Sequence, residues 1–319
     1  MNVKRTRTYV ILGMALLLSI SLFANSGWAD ERDVLSFVSV EDRTRPIILM
    51  DTQGKILQEL VIPGLTQLSL SWAPDGRSFT YHAIHNQVPN LDFDIYVMDM
   101  ETQTSRRLTL DEGLDIWPAW SPNGKWISFA SNRAGTYDLY RVDVDGGNLI
   151  KLTDGHNYDK TAWSPDSQSI AFTSRASLFV MTAEGRKLRQ LAGNAHGVDC
   201  TWSPDGKKIA FSANNGIFSI DVNGRNLRQL TQLNQSAWFL AWSPSGEWIA
   251  YRLTDILGDL VIGVVNTVDS KRGGVLEATR GLKPNYLDWV PEGFLSVFPS
   301  VEKQITFWGA LKQNEHTSQ

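Results

Sequence analysis

The sequence predicts an all-β fold: a six-bladed β-propeller of four-stranded antiparallel blades, closed by its N- and C-terminal strands. Three observations carry that expectation. A Trp-x-Pro turn recurs along the chain, period-2 apolar runs follow it, and no sustained 3.6-residue apolar pattern is found after residue 29. A seventh, partial blade is the alternative count.

Taken in order, residues 1–29 read as a signal peptide. Lys4, Arg5 and Arg7 form a positive start, Tyr9 to Phe23 is an almost unbroken apolar run, and Gly27-Trp28-Ala29 offers the small residues of a cleavage site. The run is about 15 residues, short of the roughly 20 a spanning helix needs. Retention as an anchor is the alternative. The mature chain is then expected to be soluble and exported, periplasmic or secreted, with the propeller over residues 30–310 and a polar tail at 311–319.

Loss of the leader's three positive charges moves the formal net charge from −4 to about −7, which argues against a nucleic-acid partner. Cys200 is the single cysteine, so no intramolecular disulfide can form. About 290 mature residues bury a sizeable core without one.

The repeat begins at Trp72-Ala73-Pro74-Asp75-Gly76 and returns at Trp120, Trp163, Trp202 and Trp242, with a worn copy at Trp289-Val290-Pro291-Glu292-Gly293. The tryptophans are 48, 43, 39, 40 and 47 residues apart, the period of a propeller blade. Ser-Pro-Asp/Asn-Gly suits a type I turn, with Pro presetting φ and Gly closing it. Runs such as Ile170-Ala171-Phe172 and Ile209-Ala210-Phe211 then read as second strands. Third runs end at a turn glycine (Gly146, Gly185, Gly224), and short fourth runs end on Leu-Thr or Leu-Ala. One such sheet cannot bury both its faces, whereas a ring of them can. The six tryptophans are therefore expected to pack between neighbouring blades, with Cys200 on a buried strand.

Both ends of the chain hold incomplete copies. Val34 to Val40, Pro46 to Met50 and Lys55 to Val61 read as second, third and fourth strands without a first. The C-terminal copy supplies a first strand near Tyr286–Trp289, a second at Phe294–Phe298 and a third at Ile305–Ala310. Together they make one closing blade with about two strands in excess.

Residues 202–211, "WSPDGKKIAF", and the longer "SNRAGTYDLYRVDVDGGNLIKLT" at 131–153 resemble the propeller repeat of TolB and its exported relatives. The resemblance covers roughly residues 34–310. It implies the fold strongly and the function weakly, since such propellers serve as scaffolds, sensors and a few enzymes. TolB carries an α/β domain ahead of its propeller. Here about 40 residues separate position 29 from Trp72 and read as strands, so the chain resembles a stand-alone TolB-like propeller.

Chemistry is expected where the copies differ. The residue three positions before each Trp opens on the channel mouth, and it reads Ser69, Trp117, Lys160, Asp199, Phe239 and Tyr286. Asp115, His156, Tyr158, Asp159, His196, Trp238 and Asn285 lie beside it. Aromatics with a few charged groups suit recognition of an envelope or extracellular protein, peptide or glycan by a monomer. Neither a Gly-x-Ser-x-Gly elbow nor a His-Glu-x-x-His helix occurs. No catalytic residue, cofactor or metal is therefore assigned. His82 and His85 face opposite sides of a strand, and Asp143-Val144-Asp145-Gly146 reads as a hairpin turn rather than a calcium loop. His156 and His196, from adjacent entry loops, leave one alternative: a propeller hydrolase or lyase with a channel-mouth site.

Overall fold

A computed structural model describes residues 33–291 and Phe294, apart from 42–44, 52–53, 62–68, 87–91, 111–112, 156–157, 194–198, 214–215 and 234–236. Three strands open the chain: β1 (Val34–Ser39), β2 (Ile47–Asp51) and β3 (Ile56–Leu60). Blade 2 follows as β4 (Leu70–Trp72), β5 (Ser78–Asn86), β6 (Asp92–Asp99) and β7 (Thr104–Arg107). Blade 3 is β8 (Asp115–Trp120), β9 (Trp126–Ser131), β10 (Asp138–Asp143) and β11 (Ile150–Lys151). Blade 4 is β12 (Tyr158–Trp163), β13 (Ser169–Ser174), β14 (Ser177–Thr182) and β15 (Arg189–Ala192). Blade 5 is β16 (Cys200–Trp202), β17 (Lys208–Ala213), β18 (Gly216–Asp221) and β19 (Arg228–Gln229). Blade 6 is β20 (Trp238–Trp242), β21 (Trp248–Thr254), β22 (Leu260–Asn266) and β23 (Gly273–Leu276). The last strand, β24 (Pro284–Trp289), returns to pair with β1, so blade 1 runs β24-β1-β2-β3 and the six four-stranded sheets form a ring. The innermost strands touch in sequence from β4 round to β24 and back to β4.

The ring closes with one C-terminal and three N-terminal strands, as the incomplete copies implied. The two excess strands are not needed, because blade 1 is complete with β24. Phe294 packs edge-on against Trp72 with centroids 5.3 Å apart, and residues 295–319 lie outside the described residues.

The apolar alternation has a direct reading. In the middle of the second strand of blades 4 and 5, large residues face the preceding blade and a small one the following blade. Ile170 and Phe172 pack with Trp163 against Ala119 and Ala130 of blade 3, while Ala171 lies under Ile209 and Phe211 of blade 5. Blade 5 repeats this with Ala210 under Ile249 and Tyr251. Small residues on one sheet accept large ones from the next, which lets neighbouring sheets pack closely.

The repeated tryptophans fall one into each of the six inter-blade cores. The indole Nε1–H of Trp163, Trp202 and Trp289 donates to the carbonyl of Ala119, Ala162 and Ala241 in the preceding blade, at 3.1, 3.1 and 3.2 Å. Trp72 donates instead to the Ser36 hydroxyl (2.9 Å), and Trp242 to Gly246 of its own turn (2.9 Å). The turn after each Trp has the expected bond: the N–H of Gly76, Gly124, Gly206 and Gly246 donates to the carbonyl three residues back at 2.9 Å, all four at positive φ. At the rim, Arg106, Arg141, Arg189 and Arg228 each donate to a backbone carbonyl of the following blade.

Candidate functional site

Each innermost strand ends at the repeated Trp, so its opposite end marks the channel mouth. There the inner strands of four blades bulge. Pairing slips between Ile116 and Ala119 in β8, Tyr158 and Thr161 in β12, Trp238 and Ala241 in β20, and opposite Ser36–Val38 in β24. An extra residue re-aims a side chain. Three of the bulges place Trp117, Phe239 and Tyr286 in left-handed backbone, with φ of 54°, 55° and 51°. Bulky side chains rarely adopt that region, at a cost of roughly 1–3 kcal/mol each.

Neighbouring blades hold these strained positions. The backbone N–H of Trp117 faces Nδ1 of His82 at 3.3 Å, and the Ser69 hydroxyl lies 2.8 Å from the same nitrogen. Both contacts are made when Nδ1 accepts, which puts the ring proton on Nε2. Burial lowers the His82 pKa to about 3, so the ring stays neutral and able to accept. Asp199 plays the matching part for blade 6. Its Oδ2 accepts the Leu240 N–H at 3.0 Å and its Oδ1 that of Cys200 at 2.9 Å.

Two sets of groups meet at the mouth, aromatic groups and the charged groups beside them. The aromatic groups run from blade 6 to blade 2: Trp238 and Phe239 (centroids 6.5 Å), Phe239 and Tyr286 (4.4 Å), Tyr286 and His82 (6.4 Å). Arg252 of β21 lies over Trp238 and Phe239 at 5.7 and 5.0 Å, and donates to Asn285 Oδ1 at 2.9 Å. In the charged set Lys160 Nζ stands 4.0 Å from Asp199 Oδ2. Burial pushes the Asp199 carboxyl above its ordinary range, opposed by the Lys160 charge. Asp288, one residue before Trp289, is pushed up to about 6 by burial, again opposed by Lys160 and by the N–H groups of Trp72 and Trp289. Its Oδ1 accepts the Trp289 N–H at 2.9 Å.

Of the residues singled out from sequence, Trp117, Lys160, Phe239 and Tyr286 are half-buried at the mouth and Trp238 is 37% exposed. Asp199 and Ser69 are buried and bonded to neighbouring groups rather than turned to the opening. Asp115 is buried in an ion pair with Arg133 at 2.7 Å. His156 and His196 lie outside the described residues, as do the side chains of Tyr158, Asp159 and His85. No group of three or more His, Cys, Asp or Glu placed to hold a metal ion occurs among the described residues. Asp143–Gly147 is a hairpin turn, with the Gly146 N–H bonded to the Asp143 carbonyl at 2.9 Å.

Sequence reasoning missed Arg252 and Asp288. Arg252 sits on a second strand, outside the entry loops, but its cross-strand partner is Trp238. Asp288 had a signal: the position before the repeated Trp reads Ser71, Ala119, Ala162, Thr201, Ala241 and then Asp288, a charge among small residues.

Fold and mouth together define a closed six-bladed propeller with three bulky aromatic residues in left-handed backbone around one end of the channel. The chain belongs to the TolB beta propeller family: the family described as PD40, TolB beta propeller domain, matches residues 15–246. Over 107 residues it is 42% identical to the uncharacterized protein Atu1656 of Agrobacterium fabrum, which takes in 32% of this chain and 34% of that protein. Over 106 residues it is 33% identical to the uncharacterized peptidase YuxL of Bacillus subtilis, 32% of this chain and 16% of the other. These alignments thus span about a third or less of either relative's length. The crystal structure of TolB from Acinetobacter baumannii shares the fold with a TM-score of 0.67 at 22% identity, over 91% of this chain and 74% of that one. No helix among the described residues is long and apolar enough to cross a membrane.

Proposed function

We propose that the chain is an exported interaction module, periplasmic or secreted, which binds a protein or peptide segment at the channel mouth. The observation that carries this reading is the left-handed backbone of Trp117, Phe239 and Tyr286 at one repeat position. Strain of that kind persists where it is over-determined by its surroundings, and it clusters at binding sites. The half-buried aromatics it presents are the residue types that anchor interfaces. Membership of the TolB propeller family agrees with such a role without naming the partner.

An alternative, a hydrolase or lyase with its site at the mouth, draws on the likeness to YuxL. That alignment covers 16% of the peptidase, so it supports a shared repeat more than a shared reaction. The test is capture of a partner from envelope extract, followed by titration of Trp117→Ala and Tyr286→Ala with circular dichroism on each. Buried anchors commonly contribute ~2 kcal/mol or more, so both variants should bind at least about tenfold more weakly while staying folded. Unchanged binding by both would leave the mouth as a lid only.

A further inference from the structure

Three half-buried arginines hold a carboxylate, whereas Arg252 and Arg141 lie over aromatic rings with a buried Nε–H that has no acceptor among the described residues. Of these two, Arg252 stands at the mouth while Arg141 donates to the Ala183 carbonyl. Arg107 pairs with Asp94 and Arg133 with Asp115, each at 2.7 Å, and Arg280 with Asp259 at 3.0 Å. Arg252 has no carboxylate among its partners in the described residues. Its guanidinium is pinned by Asn285 at 2.9 Å and by the rings of Trp238 and Phe239, and its Nε–H is buried with no acceptor. Burial lowers its pKa, opposed by the neighbouring Tyr286 hydroxyl. Tyr286 beside it feels a second cation, Arg45, in a chain whose formal net charge is −4.

A guanidinium held rigid, partly buried and without a carboxylate partner among the described residues is costly. Its planar fork matches a carboxylate through two parallel hydrogen bonds. We infer that Arg252 is the receptor for a carboxylate on the bound peptide, an acidic side chain entering the mouth beside Tyr286. This rests on the channel-mouth reading and names the chemistry of its partner. A uronate-bearing glycan fits less well at Phe239, which already packs against both Arg252 (5.0 Å) and Tyr286 (4.4 Å) and leaves Trp238 as the exposed ring.

The experiment is calorimetric titration of the full chain at low salt with three probes. They are a blocked peptide of alternating phenylalanine and glutamate, its glutamine counterpart, and trigalacturonate. A charge-assisted bidentate pair should make the acidic peptide bind at least about tenfold more tightly than the glutamine one. Arg252→Gln should abolish that preference, and Arg252→Lys, with charge but no fork, should keep only part of it. If Arg252→Gln lowers the unfolding midpoint, Asn285→Leu is the second variant, with the preference cut at least about threefold. Equal affinity for both peptides, or binding of neither, overturns the inference. So does a preference that persists in Arg252→Gln or Asn285→Leu, or Arg252-dependent binding of trigalacturonate in place of the acidic peptide. Trp117→Ala separates the two levels: if it weakens both peptides while Arg252→Gln leaves their ratio unchanged, the mouth binds but Arg252 does not select the charge.

Discussion

The indole of Trp163 donates to the backbone carbonyl of Ala119 in the preceding blade at 3.1 Å, so one side chain both fills the interface and bonds across it. Trp163 is 7% exposed and stacks on Trp126 with centroids 5.9 Å apart. Trp163→Ala should cost roughly 3–5 kcal/mol, the usual range for a buried large aromatic. Trp163→Phe keeps much of the packing but leaves the Ala119 carbonyl with only the longer bond from the Ser128 hydroxyl (3.4 Å), and should fall between the parent and the alanine variant. Denaturant midpoints measure both, and a midpoint unchanged by the alanine would mean that the ring does not depend on this wedge.

Ser167 takes the place that glycine holds in the other Trp-x-Pro turns, and has left-handed backbone at φ 59°. It is fully buried and its hydroxyl accepts the Asn123 N–H from the neighbouring turn at 3.0 Å. Ser167→Gly relieves strain and loses that bond, so stability should change by less than about 1 kcal/mol. Ser167→Ala keeps the strain and loses the bond, with an expected cost of about 1–2 kcal/mol. Equal stability of the two variants would mean that the left-handed backbone costs nothing, and an alanine variant as stable as the parent would mean that the hydroxyl holds nothing.

Asp288 gives a pH dependence with a definite sign. Burial raises its folded-state pKa to about 6 from an ordinary 3.8, so its contribution to stability is fully present below pH 4 and lost as pH rises through 6. The loss amounts to up to about 3 kcal/mol, the Lys160 charge being already included in the shift. Asp288→Asn keeps an acceptor oxygen and removes the titration. It should gain stability over the parent at pH 8 and show little gain at pH 4. Urea unfolding at the two pH values decides, and an equal difference at both would show that the carboxylate is not the titrating group.

Closure depends on β24. A chain ending at residue 283 loses Leu287 and Trp289 from the core between blades 6 and 1, and leaves β1 as an open edge. It should aggregate or unfold at a markedly lower temperature. A chain ending at residue 301 keeps all four strands of blade 1, and its midpoint should stay within a few degrees of the parent's. Thermal scans with light scattering compare the two, and a soluble, stable chain ending at 283 would show that the ring does not need its last strand.

The sequence alone determined the ring. Trp-x-Pro turns at blade-length spacing, large-small alternation in the second strands and complementary fragments at the two ends each follow from local chemistry, and the six four-stranded sheets match them. The repeat position that carries Trp117, Phe239 and Tyr286 was legible too, because the count back from each Trp is local. What each residue does there was not legible. Asp199 and Phe239 occupy the same repeat position, yet one is buried against Leu240's backbone and the other is half-buried in left-handed backbone. Arg252 joins the mouth through its pairing with Trp238 and its bond to Asn285, 33 residues away in the next blade. Only the tertiary structure decided these points. A repeat pattern records how a strand pairs with its neighbours in the chain, whereas burial, bulges and unpaired charge arise where six strands from distant segments converge on one axis.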